Sequence, residues 1–599
     1  MLVRYRSWRH RPPHRVSCRL LRGTDQVAVL EGLYRDSTWV FTVPDEPGWD
    51  RCQLLLDGQV VVATQDRPVV GAVDVGEAAV PARPPIAVDE STAQQEWFAE
   101  GADDGTVWDV LVVGQGMGGG VLHAALTTAL ARSGRHLDVL GLEAGPLLFP
   151  THVANLPRVS FGRNTGGTPT MWSSLDTFGT PPAPPPHWAG YEVFALGGRS
   201  LYWGGLAPRI ADRELARWPA AVRDDLLGPL PSGTGYYARA EALLGVGSPA
   251  EGGLGRRAAR LLDDVVGGRN RLAPVAMTRP RRRSWRVPGG LFSTAELLLD
   301  QRLGRRTDGG FGPPFIHLGE LVVGLERRNL GGWLVHTVRL RDGARSIRRA
   351  RQVVLCAGTV ETPRLVRGSR LAGAPDLVGR GLSEHPIAYR HFQVPPDSPF
   401  HDMDDSADLL SEPHDDERDW NLHLELGSDA VLARLPYVGD GATVVSGGHV
   451  AGQLVILGRT DLDDTAGLQF GAEPWLELDD PDGPTLPAVT LGFRPAPVPG
   501  EWAGVAQQLV EALRARDLPE GQSGSALVES RPGAVSHEVG TMRLGDGAAT
   551  AVVDHDLQVF GCPGLYVCDN SVFPTSPAAN PSLTLAALAV RLADHLLGS

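Results

Sequence analysis

Lysine is absent from the sequence, so all 56 basic side chains among its 599 residues are arginines. A chain without lysine forms no lysine Schiff base, which excludes pyridoxal-lysine and related mechanisms. Positive charge is also outweighed, because 70 acidic side chains leave a formal net charge of −14. A nucleic-acid partner, which needs a basic surface, is therefore not expected.

Cysteines and long apolar runs are scarce as well. The cysteines are Cys18, Cys52, Cys356, Cys562 and Cys568. Their number is odd and none forms a C-x-x-C pair, so we expect buried free thiols and neither a disulfide framework nor a metal site. No apolar run reaches the length of a membrane span, and none follows the arginine-rich start. We therefore expect no membrane partner and no signal peptide, with a cytoplasmic location as the default.

The length and the turn signals together indicate several domains. A single core stops growing at roughly 250–300 residues, so a chain of this length has at least two domains. Short apolar stretches, separated by turn signals such as Asp57-Gly58, predict a small β-rich module over residues 1–85, and a linker over residues 86–106 follows it. Trp8, Trp39 and Trp49 fill the core of this module or stack on a sugar ring, and the core is the favoured interpretation.

A strand, a glycine turn, a helix and a second strand follow from Val107. The strand V-W-D-V-L-V-V leads into G-x-G-x-x-G at Gly114, Gly116 and Gly119. In this motif the first glycine permits a tight turn, the second lets the backbone approach a pyrophosphate, and the third packs the helix on the strand. Glu143 ends the second strand, where it is placed to accept the hydroxyl groups of a ribose. The motif predicts a dinucleotide at a helix N-terminus without choosing between FAD and NAD.

Two segments near the C-terminus carry further candidate site residues. The first, Ser536–Gly545, contains His537, whose imidazole is either a structural group or a base that accepts a proton near neutral pH. The second, Asp569–Thr584, contains Asn580-Pro581, which predicts the start of an amphipathic last helix. Asn580 is then either a helix cap alone or a side chain that holds a substrate oxygen beside the base.

These two ends of the chain, with three segments between them, resemble the glucose-methanol-choline (GMC) family of FAD-dependent alcohol oxidoreductases. The intervening segments are L-G-G-R-S-L-Y-W-G-G (Leu196–Gly205), V-V-L-C-A-G-T-V-E-T-P-R-L (Val353–Leu365) and V-G-R-G-L-S-E-H-P (Val378–Pro386). The motifs follow the family's order over residues 107–599. The resemblance implies an FAD-binding Rossmann-type domain built from separated segments and a substrate domain on an antiparallel sheet.

The implied fold class is α/β (α+β), with the small all-β module added at the N-terminus. The expected segments are FAD-binding over 107–240, mixed or substrate-binding over 241–315, FAD-binding over 316–372, substrate-binding over 373–535, and FAD-binding and catalytic over 536–599.

The resemblance also implies roles for individual residues. His537 is the expected catalytic base, which takes the hydroxyl proton while hydride passes to flavin N5, and Asn580 holds the substrate oxygen. The expected FAD-binding residues are Gly114, Gly116, Met117, Gly118, Gly119, Glu143, Gly197, Gly198, Ser200, Tyr202, Trp203, Gly204, Gly205, Ala357, Gly358, Asp569, Asn570, Pro581, Ser582 and Leu583. Pyranose oxidase links its flavin to a histidine just before the tryptophan of the glycine loop. This sequence has Tyr202 there, so we expect non-covalent FAD.

The substrate follows less directly from the sequence. A His/Asn pair resembles the pyranose oxidase, fructose dehydrogenase and cholesterol oxidase branches, and the G-G-x-S-x-x-W pattern favours the sugar-oxidising ones. The leading hypothesis is oxidation of an alcohol of a sugar, glycoside or amino sugar, with O2 or another electron acceptor. The alternatives are a sterol-like or other non-sugar alcohol, a non-redox lyase of the same family, and a carbohydrate-binding protein whose β module binds. A homo-oligomer is left open.

An acidic stretch over residues 400–420 lies within the candidate recognition region 386–450. We interpret it either as a solvated surface loop or as a lid whose carboxylates attract a cationic substrate. The residues concerned are Asp402, Asp404, Asp405, Asp408, Glu412, Asp415, Asp416, Glu417 and Asp419.

Overall fold

The structure is a computed structural model. It describes residues 2–6, 15–35, 38–43, 48–56, 59–66, 73–75, 105–155, 178–179, 192–231, 233–247, 252–277, 290–303, 315–329, 331–340, 343–371, 375–402, 405, 407–413, 418–427, 448–474, 484, 486–517 and 526–598. Among these residues, no helix combines the length and the apolar character that a membrane crossing requires.

The N-terminal module consists of two four-stranded sheets. Its strands are β1 Leu2–Arg6, β2 Val16–Arg22, β3 Asp25–Glu31, β4 Leu33–Arg35, β5 Thr38–Thr42, β6 Arg51–Leu56, β7 Gln59–Asp66 and β8 Val73–Val75. They pair in the orders β4-β5-β1-β8 and β3-β2-β6-β7. Strands β6 and β7 pair antiparallel on either side of Asp57-Gly58, which themselves lie outside the described residues. Trp39 and Trp49 are buried in one core cluster, which confirms the favoured interpretation for these two, whereas Trp8 lies outside the described residues.

The largest sheet carries the predicted dinucleotide motif. Its strands are β9 Val107–Val113, β10 Val139–Glu143, β14 Phe315–Leu318, β15 Glu320–Arg327, β16 Trp333–Arg339, β17 Arg345–Leu355 and β26 Leu565–Val567. The parallel part runs β14-β10-β9-β17-β26, and β16 and β15 continue it antiparallel from the first half of β17. The strand order reverses between β9 and β17. In such sheets a ligand binds in the crevice beyond the carboxyl ends of the strands at this point.

Three helices follow or cover this sheet near the crevice. They are α1 Met117–Ser133 after β9, α7 Gly358–Gly368 after β17, and the last helix, α9 Ser582–Gly598. Helix α9 packs against α1 and against α4, Tyr236–Leu244. The sequence analysis predicts an amphipathic helix here, but α9 is buried over most of its length, because neighbouring elements cover more than one of its sides.

The second large sheet is antiparallel, as predicted. Its strands are β13 Arg269–Leu272, β18 Ile387–Val394, β19 Ala407–Glu412, β20 Trp420–Leu426, β21 Val450–Gly458 and β25 Val528–Glu529, in the order β13-β19-β20-β21-β18-β25. Helices α5, Gly253–Val265, and α8, Glu501–Ala512, share a hydrophobic core with one face of it. In β20, Leu422 and Leu424 point into that core. Since side chains alternate along a strand, His423 and Glu425 lie on the other face.

The prediction of a loop over residues 400–420 is wrong for its central part. Residues Ala407–Glu412 form β19, which pairs with β13 on one side and β20 on the other, and Asp408 is only 6% exposed. The apolar residues between the acidic ones supply the buried side of this strand, a signal that the high content of Asp and Glu conceals. Asp404, Asp415, Asp416 and Glu417 lie outside the described residues.

The remaining elements connect these sheets. They are β11 Phe178–Gly179, β12 Glu192–Val193, α2 Asp212–Leu215, α3 Ala220–Leu227, α6 Thr294–Arg302, β22 Thr460–Asp461, β23 Gly467–Pro474, β24 Pro487–Gly492 and β27 Thr575–Ser576.

Candidate active site

A cavity of about 950 Å³ is lined by the carboxyl ends of β9, β10 and β17 and by side chains of β19, β20 and β21. The predicted site residues that line it are Gly114, Gly116, Met117, Gly118, Glu143, Gly198, Ser200, Tyr202, Trp203, Gly204, Ala357, Gly358, His537, Asp569, Asn570, Asn580 and Ser582. The predicted residues that do not line it are Gly119, Gly197, Gly205, Pro581 and Leu583. Leu583 is fully buried in the main hydrophobic core.

The glycines of the motif have two different surroundings. A Cβ atom added at Gly114, Gly118 or Gly119 would lie 2.6, 2.0 or 1.9 Å from a backbone carbonyl oxygen, so packing forbids a side chain at each of them. At Gly116 the nearest atom to such a Cβ is the Cα of Gly198, at 4.0 Å. Packing within the protein therefore does not require glycine at position 116. Because Gly116 lines the cavity without a side chain, a ligand can approach its backbone closely.

Glu143 is held at the end of β10 by backbone hydrogen bonds. Its Oε2 accepts from the Gln115 N–H at 2.8 Å and its Oε1 from the Gly145 N–H at 2.9 Å. Burial raises the pKa of Glu143 to about 7 although these bonds favour the charged form. Each carboxylate oxygen has a second lone pair, so the group can still accept hydrogen bonds from ribose hydroxyls.

Arg199, in the predicted glycine loop, connects that loop to the residue after His537. Its Nη1 donates to Glu538 Oε2 at 2.7 Å, and its Nη2 lies 3.6 Å from Glu192. Burial raises the pKa of Glu192 to about 7, against the lowering effect of the Arg199 guanidinium. The sequence analysis did not single out Arg199, because only the fold brings its partners together.

Two other side chains of the glycine loop use their polar atoms within the protein. The Ser200 hydroxyl donates to the Gly197 carbonyl oxygen at 2.6 Å, and the Trp203 indole N–H donates to the Phe292 carbonyl oxygen at 2.8 Å. These bonds hold the loop in shape, and Trp203 contributes its ring to the cavity wall.

Asp569 joins the ends of two neighbouring strands. Its Oδ2 accepts from the Gly358 N–H at 2.9 Å and from the Thr362 hydroxyl at 2.6 Å, while its Oδ1 accepts from the Ser571 N–H at 3.0 Å. Burial raises its pKa. The next residue, Asn570, has a buried Oδ1 with no hydrogen-bond partner among the described residues. An acceptor of this kind on a cavity wall fits a ligand that carries a hydrogen-bond donor.

His537 lies beside a second histidine. Ser383 and Val539 exchange backbone hydrogen bonds of 2.9 and 3.2 Å, and two residues further along this antiparallel pair His385 Nε2 lies 2.8 Å from His537 Nδ1. Burial, then the His385 imidazole and the Arg199 guanidinium, lower the pKa of His537 well below its ordinary value of 6.5. The imidazole is therefore neutral at physiological pH, as a base must be.

Asn580 reaches the same cavity from the segment before α9. Asn580 and Ser582 both line the cavity, and α9 begins at Ser582, one residue after the predicted start at Pro581. The free N–H groups of the first helical turn favour negative charge on a ligand placed there.

Asp408, His423 and Glu425 line the cavity from β19 and β20. The sequence analysis names Asp408 in the acidic stretch but neither His423 nor Glu425. The candidate ligand atoms of these three residues lie within 4.8 Å of one another, as a metal site would require. His423 Nε2, however, is hydrogen-bonded to Asp408, and its Nδ1 lies 3.4 Å from Glu425 Oε1, so both ring nitrogens face carboxylates. This wall of the cavity thus carries two carboxyl groups around one imidazole. The alternation of leucine and polar residues in W-N-L-H-L-E-L could have revealed it.

Comparisons with known proteins give a consistent result. Residues 501–589 match a family model described as GMC oxidoreductase. A C-glycoside 3-oxidase from Microbacterium trichothecenolyticum is 28% identical over 432 residues, which is 67% of this chain and 75% of the relative. Paromamine 6'-oxidase from Streptomyces fradiae is 26% identical over 564 residues, which is 83% of this chain and 92% of the relative. The crystal structure of pyridoxine 4-oxidase from Mesorbium loti matches with a TM-score of 0.52 and 18% identity, covering 82% of this chain and 99% of that one.

The fold combines a Rossmann-type, mainly parallel sheet with a second, antiparallel sheet, as the sequence analysis predicts. The family model and the relatives confirm the resemblance to the GMC oxidoreductase family that the motifs indicate.

Proposed function

We propose that this protein is an FAD-dependent oxidoreductase that oxidises a primary or secondary alcohol of a sugar, a glycoside or an amino sugar. The observation that carries the proposal is the common cavity. A dinucleotide cradle near the start of the chain and the pair His537 and Asn580 near its end line one space.

Several features of the cavity fit FAD. Gly116 leaves room for a pyrophosphate, Glu143 retains lone pairs for a ribose, and Asn570 presents an unused acceptor. The N-terminus of α9 suits the negative charge that a reduced flavin carries. Bound FAD would supply the acceptor for the hydride that leaves the alcohol carbon. A phenol seldom forms a bond to flavin, so Tyr202 supports non-covalent attachment.

The protein's own residues account for the proton and for the position of the substrate. His537, neutral because its pKa is lowered, takes the hydroxyl proton as the C–H bond breaks. Asn580 holds the carbinol oxygen beside it, which fixes the orientation of the carbon that gives up hydride.

The carboxyl groups on this wall of the cavity support a polar substrate. Asp408 and Glu425 offer carboxylate acceptors to sugar hydroxyls and favour a protonated amine. The names of the relatives agree with this, because one is a C-glycoside oxidase and another an oxidase of paromamine. A sterol-like alcohol would offer these buried carboxylates no further hydrogen bonds in place of water, which is costly.

The visible spectrum of the purified protein under anaerobic conditions tests the proposal. It is recorded before and after addition of neutral sugars, C-glycosides and amino sugars, each amine paired with its N-acetylated form, with a sterol as the contrasting alcohol. We expect a yellow protein that a carbohydrate bleaches. Bleaching by the sterol alone would support the alternative substrate, and a flavin that no alcohol bleaches would favour the lyase. A colourless protein that takes up no FAD would overturn the proposal.

A further inference from the structure

Two imidazoles and a carbonyl group form a chain in which the direction of each hydrogen bond is fixed. His385 Nδ1 lies 2.5 Å from the Pro577 carbonyl oxygen, and His385 Nε2 lies 2.8 Å from His537 Nδ1. A carbonyl oxygen only accepts, so His385 Nδ1 carries the hydrogen. A neutral imidazole has one N–H, so His385 Nε2 accepts a hydrogen bond, and the donor is His537 Nδ1. His537 Nε2 is then left with its lone pair.

This assignment requires that His385 stays neutral. Burial lowers the pKa of His385 to about 4, so its second nitrogen is unprotonated at physiological pH. His385 Nε2 therefore carries no hydrogen under those conditions and cannot become the donor in its hydrogen bond with His537.

The lone pair of His537 is on the nitrogen that the reaction needs. Nδ1 is taken by His385, whereas Nε2 has no hydrogen bond to any residue that the structure describes, and the side chain lines the cavity. In the opposite tautomer a hydrogen on Nε2 would stand where the substrate proton must arrive.

The backbone next to His537 is held by Glu384, the residue before His385. The Glu384 carboxylate accepts from the N–H groups of His537, at 3.1 Å, and of Gly533, at 2.6 Å. The Pro577 carbonyl belongs to the segment that carries Asn580. The hydrogen bonds through His385 therefore connect His537 to the segment of its proposed catalytic partner.

We propose that His385 is a positioning residue that fixes the tautomer of His537 and so directs the lone pair of Nε2 towards the substrate hydroxyl. This rests on the proposed function of His537 as the base. When the substrate O–H bond breaks, its proton forms the Nε2–H bond. The O–H electron pair stays on oxygen to form the carbonyl as hydride leaves the carbon for the acceptor that bound FAD would supply. The resulting imidazolium still donates its Nδ1–H to His385.

Two substitutions at His385 distinguish a role in orienting His537 from a role in packing alone. His385→Leu removes the acceptor at a similar volume, while His385→Gln offers a carbonyl oxygen that can accept from His537 Nδ1–H. In a stopped-flow measurement of flavin reduction we expect His385→Leu to lose about a hundredfold or more, since a wrong tautomer costs up to about 10⁴ in a serine protease triad. We expect His385→Gln to recover to within about tenfold of the parent. Bound flavin and thermal midpoint, measured on both, serve as the folding control.

A double-mutant cycle shows whether His385 acts through His537. In a His537→Ala background, His385→Leu should cost nothing further, because there is no imidazole left to orient. The same loss in both backgrounds, or a His385→Leu rate within about threefold of the parent, would overturn the proposal.

A spectroscopic measurement decides the tautomer without any substrate. In histidine labelled with ¹⁵N, a nitrogen with a lone pair and one with a hydrogen differ strongly in chemical shift, and the His537→Ala spectrum identifies the signals of that ring. We expect a lone pair on Nε2 in the parent and in His385→Gln, and a hydrogen on Nε2 in His385→Leu. A hydrogen on Nε2 in the parent would overturn the proposal. A protein whose flavin no alcohol reduces would refute the proposed function instead, and the spectrum would still report the tautomer.

Discussion

Two glycines of the dinucleotide motif, separated by one residue, should respond to the same substitution in opposite ways. At Gly118 an added Cβ would lie 2.0 Å from the carbonyl oxygen of Cys568, on the strand end that packs behind α1. Since the obstacle is backbone, α1 must move. At Gly116 the added Cβ has no neighbour closer than 4.0 Å, and its φ of −72° suits alanine.

The expected magnitudes follow from these distances. Overpacking costs typically about 1–3 kcal/mol, and more where backbone must shift, while alanine in a helix returns about 1 kcal/mol at most. Gly118→Ala should therefore lower the free energy of unfolding of the apoprotein. Gly116 is the N-cap of α1, where alanine caps less well than glycine but also restricts the unfolded chain, so Gly116→Ala should change the free energy of unfolding by no more than about 1 kcal/mol. The Cβ of Gly116→Ala occupies the space for the pyrophosphate, however, and one lost charge-assisted hydrogen bond costs about 1.5–3 kcal/mol, or roughly 10- to 150-fold in the dissociation constant of FAD.

The assay is urea unfolding of each apoprotein, followed by titration with FAD through the quenching of flavin fluorescence. Gly504→Ala, in the middle of α8 with no atom within 4 Å of an added Cβ, is the matched control for a glycine substitution elsewhere. If Gly116→Ala binds FAD like the parent, or if Gly118→Ala is as stable as the parent, the assignment of these two roles is wrong.

Four further predictions concern the chemistry of the cavity. His537→Ala should keep its flavin but lose at least about a hundredfold in the rate of flavin reduction by substrate, and a near-normal rate would remove His537 as the base. Because the pKa of His537 is lowered, the base stays neutral as the pH falls through 6.5, so the parent's rate of reduction should decline only at lower pH; a decline centred at 6.5 would contradict this. Acid precipitation should release FAD into the supernatant, since Tyr202 forms no bond to it, and yellow pellets would show a covalent link. Asp408→Asn and Glu425→Gln should each raise the KM for an amino sugar about tenfold or more and leave the KM for its N-acetylated form nearly unchanged, whereas equal effects on both would argue against an ammonium contact.

The sequence alone predicted the features whose physical cause is local. Gly114 has a φ of +86°, which favours glycine, and an added Cβ at Gly119 would meet the carbonyl oxygen of Gly114 in the same turn, while the buried strand before them is visible as an apolar run. At Gly118 the obstacle is Cys568, which only the fold brings there. The position of Glu143 follows from the same unit. His537 was recognisable only as a histidine in a motif, and the His/Asn pairing came from the resemblance to a family rather than from spacing.

Other parts of the site depend on contacts between distant segments. His385 meets His537 because an antiparallel bridge at Ser383 and Val539 sets the register of the two segments, and no local pattern specifies that bridge. Arg199 contacts Glu538 only because the fold places the glycine loop beside the C-terminal segment. The polar composition of the acidic stretch predicts a loop. Its central part is nevertheless a strand, because β13 and β20 pair with it on both sides.

The sequence by itself thus determined the glycine turn of the dinucleotide motif and the buried strand before it, since both are encoded in neighbouring residues with their own steric demand. FAD as the cofactor and His537 as the base come from the resemblance to a family and stay predictions. The tertiary structure alone decided which nitrogen of His537 faces His385 and which carboxylates line the cavity. The first depends on the bridge between Ser383 and Val539 and the second on the pairing of β19 with β20, and both bring together side chains that no pattern in the chain relates.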